Sequence, residues 1–176
     1  MNEVDQIRAR FHEWAHAQRI EPALLDVEVE SLGVPHKPKS LPKSRQGVYA
    51  FQLGKAWLKV GKAGPNSNAR WVSQHYKATR SLSNLAWSLF QYAHLSSFEH
   101  PSLPVTLRDE LKPVHPDQIG DWIKQHTARV NFLIKAEVGP SCLSQLERIA
   151  QVILKPVFEG RWNRESRPTP RSTGPA

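Results

Sequence analysis

The sequence predicts an α+β domain, a small three-stranded, mostly antiparallel sheet flanked by helices, and three features carry that expectation. Residues 47–53 and 55–60 are short β-rich runs separated by Gly54, which reads as a hairpin. Residues 130–138, with Val130, Phe132, Leu133 and Ile134, alternate and are bulky enough for a central third strand. Apolar residues recur at helical spacing along 2–20 and again along 143–154.

In chain order, Val4, Ile7, Phe11, Trp14 and Ala15 form the stripe of an N-terminal amphipathic helix. Residues 21–45 contain Pro22, Pro35, Pro38 and Pro42 and a basic run of His36, Lys37, Lys39, Lys43 and Arg45, so they read as a lead-in loop that touches phosphate. Together, 1–45 form a helix and a basic loop ahead of the main domain at 46–163. After the hairpin, 61–68 is rich in Gly, Pro, Asn and Ser and reads as a loop, with Asn68 placed to cap a helix starting near Ala69. That helix is expected to carry Arg70, Val72, Ser73, His75 and Tyr76.

Residues 81–94 repeat the helical stripe with Leu82, Leu85, Leu89, Tyr92 and Ala93. Residues 101–119 are interrupted by prolines around a short helix at 107–111, and 79–128 as a whole reads as a helical insertion. A clear helix then runs along 143–154, with Leu146, Ile149, Ala150 and Ile153 as its apolar face, and Pro156 ends it. The tail, 164–176, offers nothing to anchor a core and reads as disordered.

At 176 residues the chain is one domain by length. A formal net charge of +8 favours an acidic partner such as nucleic acid. Cys142 is the single cysteine, so neither a disulfide framework nor a thiolate zinc site can be built within one chain, which suits a reducing compartment. The first residues are acidic where a signal peptide is basic, and no apolar run reaches membrane-spanning length, so the expectation is a cytoplasmic protein with no membrane partner. The segment Gly61-Lys62-Ala63-Gly64 lacks the spacing of a phosphate-binding loop, which argues against a nucleoside triphosphatase.

The chemistry-bearing residues come in a definite order: Gly47-Val48-Tyr49, then Lys59-Val60-Gly61-Lys62-Ala63, Arg70, Glu147, Lys155-Pro156 and Asn163. A glycine allows close backbone approach, a tyrosine offers a phenol on one face of the hairpin, a forked guanidinium suits two phosphoryl oxygens, and a lone carboxylate suits a hard Mg²⁺ ion. In that order the residues resemble the GIY-YIG nuclease family, and Val60-Gly61-Lys62-Ala63 followed by Arg70 is similar to the incision domain of bacterial excision-repair nucleases. The resemblance covers roughly 46–163.

The resemblance implies a metal-dependent endonuclease that hydrolyses a DNA phosphodiester in one step, leaving 5′-phosphate and 3′-hydroxyl ends. It assigns Tyr49 to the attacking water as general base; a phenol of pKa about 10 needs a cation beside it, for which Lys62 is the natural candidate, and Lys62 could equally hydrogen-bond the water or a phosphate oxygen. Arg70 falls to the pentavalent phosphate, and His75 is an alternative proton acceptor. Glu147 falls to Mg²⁺ or Mn²⁺, and Lys59, Tyr76 and Asn163 to the nucleic acid. The second motif begins with Lys59 where the family has tyrosine. That substitution keeps an alternative in view: a catalytically weak or inactive DNA- or protein-binding module on the same scaffold. RNA is the other polymer whose phosphates fit this chemistry, and a homodimer is what a double-strand cut by one site per chain requires.

Overall fold

The computed structural model describes residues 1–79, 84–95 and 97–159. Its centre is a four-stranded antiparallel sheet of order β1-β4-β2-β3, with β1 at Glu28–Leu32, β2 at Arg45–Leu53, β3 at Ala56–Ala63 and β4 at Ala128–Lys135. The mixed helix and sheet class is as the sequence predicts, but the sheet has four strands and not three. The extra strand, β1, lies inside the expected lead-in loop. Its sequence, Glu-Val-Glu-Ser-Leu, is polar because it forms an edge, and its hydrogen-bonding partner β4 lies a hundred residues downstream. Glu28 pairs with Arg45 at 3.4 Å and Glu30 with Lys39 at 3.3 Å, which keeps that edge charged.

Helices cover both faces. On one face, α1 (Glu3–Ala17) and α6 (Gly139–Leu154) bury Ile7, Phe11, Leu143, Leu146 and Ala150 against Val48, Ala50, Val130, Phe132 and Ile134. Asn2 caps α1 by accepting from the Asp5 amide at 2.8 Å, and the Trp57 indole donates to Glu3 at 2.8 Å to tie the helix to β3. Pro156 follows α6, whose last turn closes through Lys155 in a left-handed conformation.

The other face carries α2 (Asn68–Val72), α3 (Leu85–His94), α4 (Leu107–Leu111) and α5 (Ile119–His126). The inserted segment is therefore part of the main core: Leu85, Leu89, Leu107, Leu111, Ile119 and Ile123 pack in one cluster with Tyr49, Phe51, Leu58 and Trp71. The predicted short helix at 107–111 is present, whereas α5 falls where no helix was read. The strand expected along 130–138 begins two residues earlier and ends at Lys135, with 136–138 turning into a single helical turn. The second strand runs on through Gly61 to Ala63, into what reads as loop, because Gly61, Lys62 and Ala63 pair with Tyr49, Val48 and Gly47. The outer edge of β3 is covered by the segment after α6, where the Val157 and Phe158 amides donate to the Trp57 and Leu58 carbonyls, each at 2.9 Å.

Candidate active site

The two motif glycines make room for aromatic rings. A Cβ on Gly47 would meet the Trp71 ring at 2.9 Å, and one on Gly61 would meet the Tyr49 hydroxyl oxygen at 2.5 Å. Tyr49 thus lies across Gly61, its direct partner on β3, and its ring meets Trp71 edge-on at 5.8 Å. Only a residue without a side chain lets the phenol reach over the strand.

Two groups meet at the Tyr49 hydroxyl and a third lies over its ring. The Arg70 Nε donates to it at 3.4 Å, and the hydroxyl hydrogen-bonds His75 Nε2. Arg129, over the ring at 5.2 Å, is the third. Burial pushes the Tyr49 pKa up, and the opposing hydrogen bond and charge of Arg70 and the charge of Arg129 do not offset it. The phenol is protonated at neutral pH and donates to His75. Burial first, then the charges of Lys59, Arg129 and Arg70, hold the His75 pKa well below the ordinary imidazole value. His75 is therefore neutral, accepts at Nε2 and carries its proton on Nδ1, which is buried and has no hydrogen-bond partner.

The placement of His75 differs from the helical expectation. Asn68 does not cap α2, since its side-chain oxygen accepts instead from the Leu41 amide at 2.9 Å. The helix stops at Val72, and His75 sits in a separate turn at Gln74–Tyr76 that swings it inward to 3% exposure.

Glu147 and Lys62 complete the set from α6 and β3. Lys62 is adjacent to Gly61 and therefore faces α6, where its ammonium reaches Glu147 Oε2 and Ser144 Oγ, each at 2.9 Å. This corrects the expectation that Lys62 tunes Tyr49: the cations at the phenol are Arg70 and Arg129. Burial pulls the Arg70 pKa down, but the hydrogen bond to Tyr49 and the carboxylates of Glu147 and Glu159 outweigh it and raise it. Arg70 is thus held among acceptors, its guanidinium only half-buried.

Two residues assigned to the nucleic acid are inside the protein. Lys59 is 2% exposed, opposite Phe51 on β2, and its ammonium pairs with Glu159 at 2.8 Å and donates to the Phe158 carbonyl at 3.2 Å. Tyr76 is 8% exposed and its hydroxyl bonds His36 Nε2 at 2.9 Å. Neither side chain faces solvent, because both lie on the sheet face covered by the inserted helices. His36, read as part of a phosphate-touching run, is buried too, with Nδ1 donating to the Thr127 carbonyl at 2.6 Å. Asn163 lies outside the described residues.

Residues that sequence reasoning missed are Arg129, Asn131 and Glu159. For the first two a signal existed: polar residues at i and i+2, alternating with Val130 and Phe132, mark a strand whose second face is also specialised. No known protein family, curated protein or solved structure matches the chain.

The two buried histidines give the fold a defined acid sensitivity. Burial lowers the pKa of His36 and lowers that of His75 further. Between the folded values and the unfolded value of about 6.5, the unfolded chain binds protons that the folded chain does not, so stability falls as pH drops through that window. Urea midpoints measured from neutral pH down to about pH 5 are expected to decline, and His75→Gln with His36→Gln to flatten the decline. A slope unchanged by both substitutions would contradict this assignment.

Proposed function

We propose that the chain is a metal-dependent endonuclease of the GIY-YIG type that hydrolyses DNA phosphodiesters in one step. The observation that carries this reading is the Tyr49 phenol held between a neutral imidazole and a guanidinium, within the electrostatic reach of Glu147 on α6. Tyr49 is 0% exposed, so this reading requires the side chains over it to part when DNA binds; water then attacks phosphorus in line and gives a proton to the Tyr49 oxygen, while Tyr49 passes its own proton to His75 Nε2. The bond from phosphorus to the 3′ oxygen breaks, and that oxygen takes a proton from solvent. Tyr49 therefore needs no depressed pKa, since the relay never leaves a free phenolate as the resting state. The Arg70 fork binds two phosphoryl oxygens as negative charge builds on them, and Lys62 binds a third contact from the α6 side.

Glu147 is the residue that would hold the divalent ion. Among the described residues no group of three or more His, Cys, Asp or Glu side chains forms a metal cage. A hard ion that keeps most of its waters and takes phosphate oxygens accepts a single carboxylate, and only one Glu147 oxygen is engaged by Lys62, so the donor set fits. A divalent ion held there would supply positive charge to the leaving oxygen.

One observation favours the second reading, a binding module without cleavage: Lys59, buried and paired with Glu159, stands where the family has a tyrosine that orients the water. Plasmid relaxation with Mg²⁺ or Mn²⁺ separates the two. Nicking by the intact chain that Glu147→Ala abolishes supports the nuclease. Salt-sensitive DNA binding by a folded chain that never nicks identifies the module.

A further inference from the structure

Among the described residues Arg129 is the largest fully buried side chain, 1% exposed at the start of the inner strand β4. A guanidinium keeps its charge inside a protein, so its burial demands an account. Among the described residues no carboxylate pairs with it. Its Nε donates to Asn131 Oδ1 at 2.8 Å, and its Nη1 donates to the Trp71 carbonyl at 2.8 Å and to the Tyr76 hydroxyl at 3.2 Å. Its Cζ lies 4.7 Å from the centre of the Trp71 ring, 5.2 Å from that of Tyr49 and 5.5 Å from that of Phe51. The negative charge that answers it is one residue removed: Asn131 Nδ2 donates to Glu30 Oε2 at 2.9 Å.

We propose that Arg129 is a positioning residue of this site: its buried guanidinium holds the Trp71 end of α2, and so Arg70, against β4, and its charge over the Tyr49 ring supports the negative charge that develops as Tyr49 hands its proton to His75. The proposal rests on the reading of Tyr49 as the proton acceptor. The geometry explains why a cation and not an apolar residue fills this place. An apolar side chain can stack under three rings, but it cannot bind the Trp71 carbonyl or place charge beside the phenol. The distance of Glu30 matters equally, because a carboxylate in direct contact would cancel that charge. Asn131 is the neutral spacer that prevents it.

The spacer supplies a test that leaves packing intact. Exchanging the pair as Glu30→Gln with Asn131→Asp reverses donor and acceptor between residues 30 and 131, leaves Arg129 donating to residue 131, keeps the net charge, and moves the carboxylate onto Arg129. The groups facing Tyr49 and His75 are otherwise unchanged: Arg70, Lys59 and Glu147. In the full chain, Tyr49 ionisation is read by tyrosinate absorbance, using Tyr49→Phe to subtract the other two of the three tyrosines. His75 ionisation is read by NMR.

Both titrations are expected to move up in the double variant, that of Tyr49 by about one unit and that of His75 by less, because the quenched cation lies over the Tyr49 ring. Glu30→Gln alone, at the half-exposed sheet edge, is expected to move both down, since it removes the answering charge. Opposite shifts from these two variants cannot come from packing loss. Unmoved titrations in either folded variant, or shifts of the same sign in both, would overturn the proposal, and the single variant decides the matter if the double one does not fold. Cleavage by the double variant is expected to lose kcat with KM nearly kept. The titrations read out whether or not the chain cuts DNA, so failure of the nuclease reading and failure of the Arg129 role are separable.

Discussion

Tyr49→Phe is expected to cut DNA about 10²–10⁴-fold more slowly than the unmodified chain while binding DNA as before. The substitution keeps the ring that lies across Gly61 and packs against Trp71, so the scaffold of the site is retained. It removes only the hydroxyl through which the proton passes. His75 Nε2 then loses its donor and Arg70 Nε an acceptor, which costs stability of about 1–3 kcal/mol. Single-turnover cleavage at saturating protein isolates the chemical step, and a parallel binding titration checks that the complex still forms. A folded, DNA-bound variant that cleaves at the original rate would remove Tyr49 from the mechanism.

Arg70→Lys is expected to lower the cleavage rate about 10²–10³-fold, although the charge is conserved. The reason is geometric. The Arg70 Nε is committed to the Tyr49 hydroxyl, which leaves the terminal nitrogens of the fork for phosphoryl oxygens. A lysine ammonium serves one of these tasks at a time. The effect belongs in kcat and not in KM, because the second oxygen acquires its charge only as the transition state forms. A variant that binds DNA weakly but turns over normally would instead make Arg70 a simple binding cation.

How far the sequence discloses this site can be judged from individual residues. The hairpin and the helix bearing Glu147 are legible because alternation and helical stripes are local patterns. The ring-over-glycine relation between Tyr49 and Gly61 is not, because the second strand continues past Val60 into residues that read as loop. The edge strand β1 is not, since Glu28 and Glu30 suppress the β signal and the strand is made by β4. Lys59 and Tyr76 illustrate the opposite failure. Read singly, a lysine and a tyrosine near a phosphate site look like contacts for a polyanion. Their burial depends on α3, α4 and α5, whose packing no local pattern announces. The alternation of Arg129 and Asn131 with Val130 and Phe132 marks a specialised strand face, but the role of Arg129 exists only once Trp71, Tyr49 and Asn131 converge from three separate elements.

The central claim is that a water, relieved of its proton through Tyr49 and His75, attacks the phosphodiester directly. Single-turnover cleavage of a labelled DNA duplex in heavy-oxygen water with Mg²⁺ tests it most plainly. The expected result is one heavy oxygen in the 5′-phosphate product and none in the 3′-hydroxyl, with release of both products suppressed in Tyr49→Phe. Intact duplex after prolonged incubation with folded, DNA-bound protein would contradict it, as would label incorporated at the 3′ end.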